Sequence, residues 1–122
     1  MIVSNESLNQ FEITPSALKR KLVDEDDIEI IDIRRKSDYE KFHIPGSKHI
    51  DAYNALHAYH PGPLAEYTPP EDTTVITVCY VGITSQVAAQ YLRTQGIQAL
   101  SLVGGIDLWL RSTSTNQRLW AN

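Results

Sequence analysis

Cysteine is nearly absent from this sequence: Cys79 is the only one among 122 residues. A single cysteine cannot form a disulfide within the chain, so this is not a secreted scaffold held by disulfides. A lone cysteine in an intracellular protein is either an inert buried residue, which is the commoner case, or a catalytic nucleophile. The sequence on either side of Cys79 distinguishes these two interpretations.

Long apolar runs and an excess of positive charge are also missing. No stretch approaches the roughly 20 apolar residues that a membrane-spanning helix needs, and residues 1–6 lack the basic and apolar regions of a signal peptide. The chain has 11 Lys and Arg against 15 Asp and Glu, a net charge of −4, which excludes the strongly basic surface that a nucleic acid or an anionic membrane would require. We therefore expect a cytoplasmic protein that binds neither nucleic acid nor membrane.

What is present suits one globular domain covering residues 1–122, because 42% of the residues are hydrophobic and nothing indicates a second core. The predicted core runs from about 11 to 111, and a polar C-terminal tail occupies 112–122. Short β-branched segments alternate with helical ones, which predicts an α/β domain with a mostly parallel sheet. The expected strands are 11–13, 28–33, 48–50, 74–78 and 97–102.

The helix boundaries are predicted from capping patterns. Thr14 before Pro15 reads as a helix start, and Ser37 with Glu40 has the capping-box spacing for a short helix that would turn Tyr39 and Phe42 inward. Asp51 is a candidate cap for a helix over 52–57. Further helices are expected over 85–95, and after Gly104-Gly105 in a short helix that contains Ile106, Trp109 and Leu110. Trp109 is expected to be a core anchor.

The stretch from Val75 to Ser85 is the most informative in the chain. A β-branched run ends at Cys79, the backbone turns at Gly82, and a helix follows. The Cys79 sulfur is thereby expected at the carboxyl end of a buried strand, facing backbone N–H groups and a helix N-terminus. That arrangement stabilises a thiolate and favours the nucleophile.

Three separated segments together resemble the single-domain rhodaneses, a sulfurtransferase family. They are Ile30-Ile31-Asp32-Ile33-Arg34 with the following His43-Ile44-Pro45-Gly46 turn, the loop Cys79-Tyr80-Val81-Gly82-Ile83-Thr84-Ser85, and Leu102-Val103-Gly104-Gly105 with Trp109. The resemblance implies a five-stranded, mostly parallel sheet with helices on both faces. It also implies that the loop after Cys79 cradles the substrate.

The resemblance implies sulfur transfer in which Cys79 acts as the nucleophile and becomes a persulfide, with no cofactor. The expected substrate-binding residues are Tyr80, Val81, Gly82, Ile83, Thr84 and Ser85, whose backbone N–H groups would close around the anionic sulfur. Ser85 is either a hydroxyl donor to the site or only a helix cap. The donor would be thiosulfate or a small persulfide, and without a second cysteine the acceptor must be external: cyanide, a thiol or a sulfur-accepting protein. A persulfide carrier and a non-catalytic binding or regulatory module are the alternatives.

Charge is absent from the loop, since no Lys or Arg lies between Cys79 and Ser85. A dianionic donor would gain from a cation there, and Arg34 is the nearest candidate for a substrate-binding cation. The alternative, which we favour, is that Arg34 forms a structural ion pair with Asp32.

A cysteine phosphatase would need an arginine six residues after its cysteine, where this chain has Ser85, so phosphoryl transfer is rejected. His57 and His60 are not expected to bind a metal, because the proline-rich segment after them breaks the helix that would align them.

Overall fold

A five-stranded sheet forms the centre of the computed structural model, which describes residues 10–112. The strands are β1 Glu12–Ile13, β2 Ile28–Asp32, β3 Lys48–His49, β4 Thr74–Val78 and β5 Ala99–Leu102. They lie in the order β1-β5-β4-β2-β3, and every pairing is parallel. The predicted α/β class is confirmed. The tail residues beyond Ser112 lie outside the described part of the chain.

Helices connect these strands. They are α1 Pro15–Val23, α2 Lys36–Lys41, α3 Tyr53–His57, a 3₁₀ helix Gly62–Glu66, and α4 Thr84–Thr94. A further helix, α5, begins at Gly105 and continues through Ser112, the last described residue. None of the helices within residues 10–112 has both the length and the apolar character needed to cross a membrane.

Two hydrophobic cores lie on opposite faces of the sheet, because successive residues of a strand point to opposite sides. Ile31 of β2 and Val75 of β4 pack on one face with α3 and α4, whose Leu56 and Leu92 are fully buried. On the other face, neighbouring strand residues pack against α1 and α5; this core contains Ile30, Ile76, Leu18, Ile106 and Trp109. The expected placement of helices on both faces is confirmed.

The central strands β2 and β4 end level with each other. Asp32 is paired with Val78, and the Ile33 N–H donates to the Val78 carbonyl at 2.9 Å. Cys79 and Arg34 therefore emerge at the same edge of the sheet. Crevices outside the carboxyl ends of parallel strands are where α/β proteins place their ligand sites.

The start of α1 follows its prediction, whereas the start of α2 does not. The Thr14 side chain accepts a hydrogen bond from the Ala17 N–H at 3.2 Å, with Pro15 opening α1. Ser37 lies inside α2, so the capping-box prediction is wrong, and the N-cap Arg35 makes no side-chain capping bond.

Asp51 explains this difference. Its carboxylate accepts from the Lys36 N–H at 3.1 Å, which satisfies the first turn of α2 from a distant part of the chain. Asp51 does not cap its own helix, because the N-cap of α3 is Ala52. Phe42 also differs from expectation: it is 36% exposed rather than turned into the core.

Candidate active site

Cys79 follows the carboxyl end of β4 and is 1% exposed, and its sulfur is surrounded by donors. The backbone N–H groups of Gly82 and Ser85 each donate to it at 3.2 Å. The Ser85 hydroxyl oxygen is 3.3 Å away, where it accepts from a thiol or donates to a thiolate. These contacts suit a sulfur that carries negative charge.

The loop reaches this geometry because Gly82 adopts a left-handed conformation, with φ of 90°. A Cβ atom at Gly82 would lie 2.8 Å from the Gly104 nitrogen and 3.2 Å from the Leu102 carbonyl oxygen. Both the positive φ and the close backbone approach therefore require glycine here.

The beginning of α5 holds the carbonyl side of the loop. The Ile106 N–H donates to the Cys79 carbonyl at 2.9 Å, and the Asp107 N–H donates to the Tyr80 carbonyl at 3.0 Å. Gly105 allows this approach, since a Cβ there would lie 2.5 Å from the Cys79 carbonyl oxygen. The N–H groups that α5 leaves unpaired within its own first turn thus anchor the loop behind the sulfur.

Ser85 is not the cap of α4. The helix begins at Thr84, its N-cap is Ile83, and no side chain caps it, so the capping interpretation of Ser85 is wrong. Its hydroxyl instead lies between the Cys79 sulfur and the Ser101 hydroxyl, 2.7 Å away. Both serines are completely buried.

Ser101 was missed by sequence reasoning. It is the one polar residue of β5, within the sequence Ala99-Leu100-Ser101-Leu102, and a small hydroxyl in an apolar strand was the only available signal. Thr77 supports the same region, because its hydroxyl donates to the Ser85 carbonyl at 2.7 Å.

Arg34 lies beside the sulfur site but is engaged elsewhere. Its Nε and Nη2 atoms donate to the Asp32 carboxylate at 2.8 to 3.1 Å, and Nη2 also donates to the Phe42 carbonyl at 2.6 Å. Both partners of the ion pair are buried. These contacts match the structural ion pair, and the substrate-binding role of Arg34 stays a prediction.

The remaining loop residues divide between a buried and an exposed group. Thr84 is buried in the first turn of α4. Val81 and Ile83 are 54% and 69% exposed, so the rim of the loop is apolar. Tyr80 is half-buried, and its hydroxyl donates to the Asp38 carboxylate; burial and this hydrogen bond raise the pKa of Tyr80 above its ordinary value.

Arg35 and Tyr53 are connected to the cysteine loop through Tyr80, and sequence reasoning missed both. The Arg35 guanidinium lies 4.8 Å from the centre of the Tyr53 ring, and the Tyr53 ring meets the Tyr80 ring edge-on at 4.9 Å. The available signal for Arg35 was its position three residues after the end of β2, at the edge of the sheet that carries Cys79.

No metal-binding group is found within residues 10–112, where no three His, Cys, Asp or Glu side chains cluster suitably. His57 stacks on Tyr53 with 5.9 Å between ring centres. His60 accepts from the Gly62 N–H at 3.0 Å if its Nδ1 is unprotonated.

Comparison with known proteins identifies this arrangement of a strand, a cysteine loop and a helix. The family model for the rhodanese-like domain matches residues 14–112. The chain belongs to the rhodanese-like family. Among the described elements, the match includes α1 to α5, the 3₁₀ helix and every strand but β1, so the family resemblance that the sequence motifs indicated is confirmed.

Relatives of this rhodanese-like domain carry names that refer to sulfur transfer. A thiosulfate sulfurtransferase GlpE of Pseudoalteromonas translucida is 38% identical over 90 residues, which are 73% of this chain and 79% of that protein. The protein of the same name in Coxiella burnetii is 36% identical over 92 residues, covering 73% and 78% respectively.

Solved structures agree with the fold of this rhodanese-like domain. SSP1007 of Staphylococcus saprophyticus superposes with a TM-score of 0.66 at 28% identity, over 80% of this chain and 91% of that one. A rhodanese-like domain protein of Staphylococcus aureus gives a TM-score of 0.65 at 28% identity, over 80% and 89%.

Proposed function

We propose that this rhodanese-type sulfurtransferase moves a sulfane sulfur from thiosulfate or a small persulfide to an external nucleophile through a persulfide on Cys79. Family membership and the names of the GlpE relatives support sulfur transfer. The observation that carries the assignment to Cys79 is its buried sulfur, held by two backbone N–H groups and the Ser85 hydroxyl. No other residue of the chain has a thiol.

In the first half-reaction the Cys79 thiolate attacks the outer, sulfane sulfur of the donor. A new S–S bond forms while the S–S bond of the donor breaks, and the electron pair leaves with sulfite when the donor is thiosulfate. The N–H groups of Gly82 and Ser85 favour the anionic sulfur before and after transfer. The loop can hold the product because thiolate and persulfide are both anions.

In the second half-reaction the acceptor attacks the outer sulfur of the persulfide. Its lone pair forms the new bond to sulfur, and the electron pair of the Cys79 S–S bond returns to Cys79 as the thiolate. Cyanide would give thiocyanate, and a thiolate would give a new persulfide. Because the donor product leaves before the acceptor reacts, a ping-pong cycle follows. The cytoplasmic location expected from the sequence would supply small thiols and persulfides.

Cys79→Ser tests the assignment. A serine hydroxyl cannot hold a sulfane sulfur, so the variant is expected to lose thiocyanate formation from thiosulfate and cyanide completely. Intact mass spectrometry should show one added sulfur atom on the wild type after incubation with donor, removable by cyanide, and none on the variant. Activity that survives in Cys79→Ser would overturn the proposal.

The alternative of a binding module or persulfide carrier rests on the exposed apolar rim of Val81 and Ile83, which a partner protein could contact. The same mass experiment separates the possibilities. Failure of thiosulfate and of several persulfides to add sulfur to Cys79 favours a binding module. A persulfide that forms but reacts only with a protein thiol, and not with cyanide or small thiols, favours a carrier.

A further inference from the structure

The site has no charged group in its loop to attract a charged donor. The loop from Cys79 to Ser85 contains no Lys or Arg, and the Arg34 guanidinium is bound to the Asp32 carboxylate and the Phe42 carbonyl. A buried pair of this kind is costly to break. An anionic donor would therefore gain from another cation close to the loop.

Arg35 is exposed at the same edge of the sheet, and it has no carboxylate partner among the described residues. Within residues 10–112, no Asp or Glu oxygen lies within 4.0 Å of its guanidinium, although six other ion pairs occur there. Its polar contact is neutral: Nη2 donates to the Asn54 side-chain oxygen at 3.1 Å. The charge of Arg35 is thus available to a ligand.

The Arg35 side chain is also held in place. Tyr53 supports the guanidinium on its ring face at 4.8 Å, and Asn54 fixes one end of the planar group. An arginine stacked on an aromatic ring keeps free N–H donors in its plane, and loses less side-chain entropy on binding an anion than a free one.

Contacts with Tyr80 connect Arg35 to the cysteine loop. The backbone N–H of Arg35 donates to the Tyr80 hydroxyl at 3.3 Å, and Tyr80 directly follows Cys79. Tyr53 packs edge-on against the same Tyr80 ring. The Tyr53 ring thus contacts both the Arg35 guanidinium and the Tyr80 ring, which links the guanidinium to the cysteine loop through one aromatic side chain.

Two acidic side chains that contact the segments around Arg35 have other partners. Asp38 accepts from the Tyr80 hydroxyl, and Asp51 accepts from the Lys36 N–H. Neither pairs with Arg35. Because Asp38 contacts Tyr80 of the cysteine loop, it adds negative charge close to that loop, and a nearby cation would offset this charge for an anionic donor.

We propose that Arg35 is the residue that binds the anionic group of the sulfur donor and so determines donor specificity. This inference rests on the proposed function of Cys79. The shared chemistry is an anionic oxygen group next to a sulfane sulfur, either the sulfonate end of thiosulfate or a carboxylate of a small persulfide. The planar fork of the guanidinium suits both.

Arg35→Gln tests the assignment. The rate of persulfide formation on Cys79 at low donor concentration, measured by intact mass with thiosulfate, is expected to fall about ten-fold, as for the loss of one charge-assisted contact. Raised salt should slow the wild type more than the variant. Arg35→Lys should recover part of the loss, because it keeps the charge but not the planar contact with Tyr53.

Lys36→Gln is the matched control. It removes the same charge from the neighbouring position, but the Lys36 ammonium faces Glu40 at 3.8 Å and is largely exposed. Its rate with thiosulfate should stay within about two-fold of wild type, the range for a surface charge. An equal loss in Lys36→Gln and Arg35→Gln would overturn the specific role of Arg35 in favour of a general effect of net charge.

Two further donors distinguish the sources of the anion. A persulfide bearing carboxylates and its uncharged ester are compared in the wild type and Arg35→Gln. A loss confined to thiosulfate identifies the sulfonate end, and a loss shared with the carboxylate persulfide but not its ester identifies a general anion site. An equal loss with the uncharged ester overturns the proposal.

The two proposals fail in different ways. A wild type that forms the Cys79 persulfide, together with an Arg35→Gln variant of unchanged rate with both anionic donors, would reject Arg35 and leave the function of Cys79 intact. A wild type that gains no sulfur from any donor would reject sulfur transfer, and the role of Arg35 with it.

Discussion

At the scale of single residues, we expect the Ser101 hydroxyl to orient the Ser85 hydroxyl relative to the Cys79 sulfur. A hydroxyl has one hydrogen to donate and can accept others. If Ser101 donates to the Ser85 oxygen at 2.7 Å, the Ser85 hydrogen is free to point at the Cys79 sulfur at 3.3 Å. Ser101 would then be a positioning residue that never touches the substrate.

Ser101→Ala should therefore slow persulfide formation without unfolding the domain. We expect a reduction of about five-fold, which corresponds to about 1 kcal/mol for one hydrogen bond. Ser85→Ala removes the donor itself and should have a larger effect. Ser101→Thr keeps the hydroxyl on a strand-compatible side chain and should restore most of the rate.

The measurement is the rate of sulfur addition to Cys79 by mass spectrometry, with thermal melting recorded for each variant. A merely structural role for Ser101 would lower the melting temperature of Ser101→Ala and leave the rate of the folded protein unchanged. A Ser101→Ala rate equal to wild type would contradict the positioning role.

At the same scale, Cys79 was predictable whereas Ser101 and Arg35 were not. Cys79 is marked locally by a strand before it, a glycine turn and a helix after it. A serine in a strand and an arginine after a strand occur in most α/β proteins without any special role. The role of Ser101 depends on its contact with Ser85, 16 positions away in the chain, and the role of Arg35 depends on its contact with Asn54, 19 positions away.

At the scale of elements, the loop after β4 depends on glycine for two reasons that can be separated. Gly82 and Gly96 both have positive φ, of 90° and 83°. A Cβ at Gly82 would lie 2.8 Å from the Gly104 nitrogen, whereas a Cβ at Gly96 would meet nothing within 4 Å. Alanine would therefore strain the backbone at both positions, but only at Gly82 would its Cβ atom collide with neighbouring backbone atoms.

Gly96→Ala is expected to destabilise the domain by about 1 kcal/mol and to keep the normal rate of sulfur addition. Gly82→Ala should destabilise it by about 1 kcal/mol or more beyond that, and should lower the rate by more than about ten-fold, because the Gly82 N–H must move away from the sulfur. Urea unfolding and persulfide formation give the two readouts. Equal rates in the two variants would show that the loop tolerates a side chain at Gly82.

Capping shows what local patterns can and cannot predict about elements. Thr14 and Pro15 specify the start of α1 with groups inside the same helix turn. The start of α2 depends on Asp51, which is 15 residues away, so the Ser37 and Glu40 pattern was misleading. A capping box competes with any other acceptor that the tertiary structure brings to the same N–H groups.

At the scale of the whole molecule, Glu29 joins segments that are far apart in the chain. The Glu29 carboxylate on β2 accepts from the Tyr67 hydroxyl and pairs with the Lys48 ammonium at 2.7 Å. Burial raises the pKa of Glu29, but the hydrogen bonds with Lys48 and Tyr67 outweigh it and hold that pKa below its ordinary value of 4.5. Ionised Glu29 therefore stabilises the fold.

Acid should remove this stabilisation. A carboxylate with a lowered pKa contributes its stabilisation above the ordinary value and loses it as the pH falls from 4.5 through the lower folded value. In Glu29→Gln, the free energy of unfolding should fall less between pH 5 and pH 2.5 than in the wild type. Urea titrations at several pH values measure this, and parallel pH dependences in the two proteins would contradict it.

Glu40→Gln serves as the control for this prediction, because Glu40 and its partner Lys36 are 61% and 73% exposed. Exposed pairs contribute little to stability, so this variant should follow the wild-type pH dependence.

At alkaline pH, a second group has the opposite dependence: burial and the Glu29 carboxylate raise the pKa of Tyr67 above its ordinary value of 10.0. That shift stabilises the fold below pH 10 and is lost at higher pH.

The sequence by itself determined the order of strands and helices, the family and the nucleophile. Each depends on interactions between residues close in the chain: β-branched runs that favour buried strands, a glycine turn, and a lone cysteine between a strand and a helix. Only the tertiary structure decided that Arg34 is held by Asp32 and Phe42 while Arg35 keeps an available charge, and that Ser101 lies behind Ser85. The physical reason is that parallel strands bring residues from distant segments to one edge of the sheet, where burial, hydrogen bonds and charge are set by neighbours that local sequence does not specify.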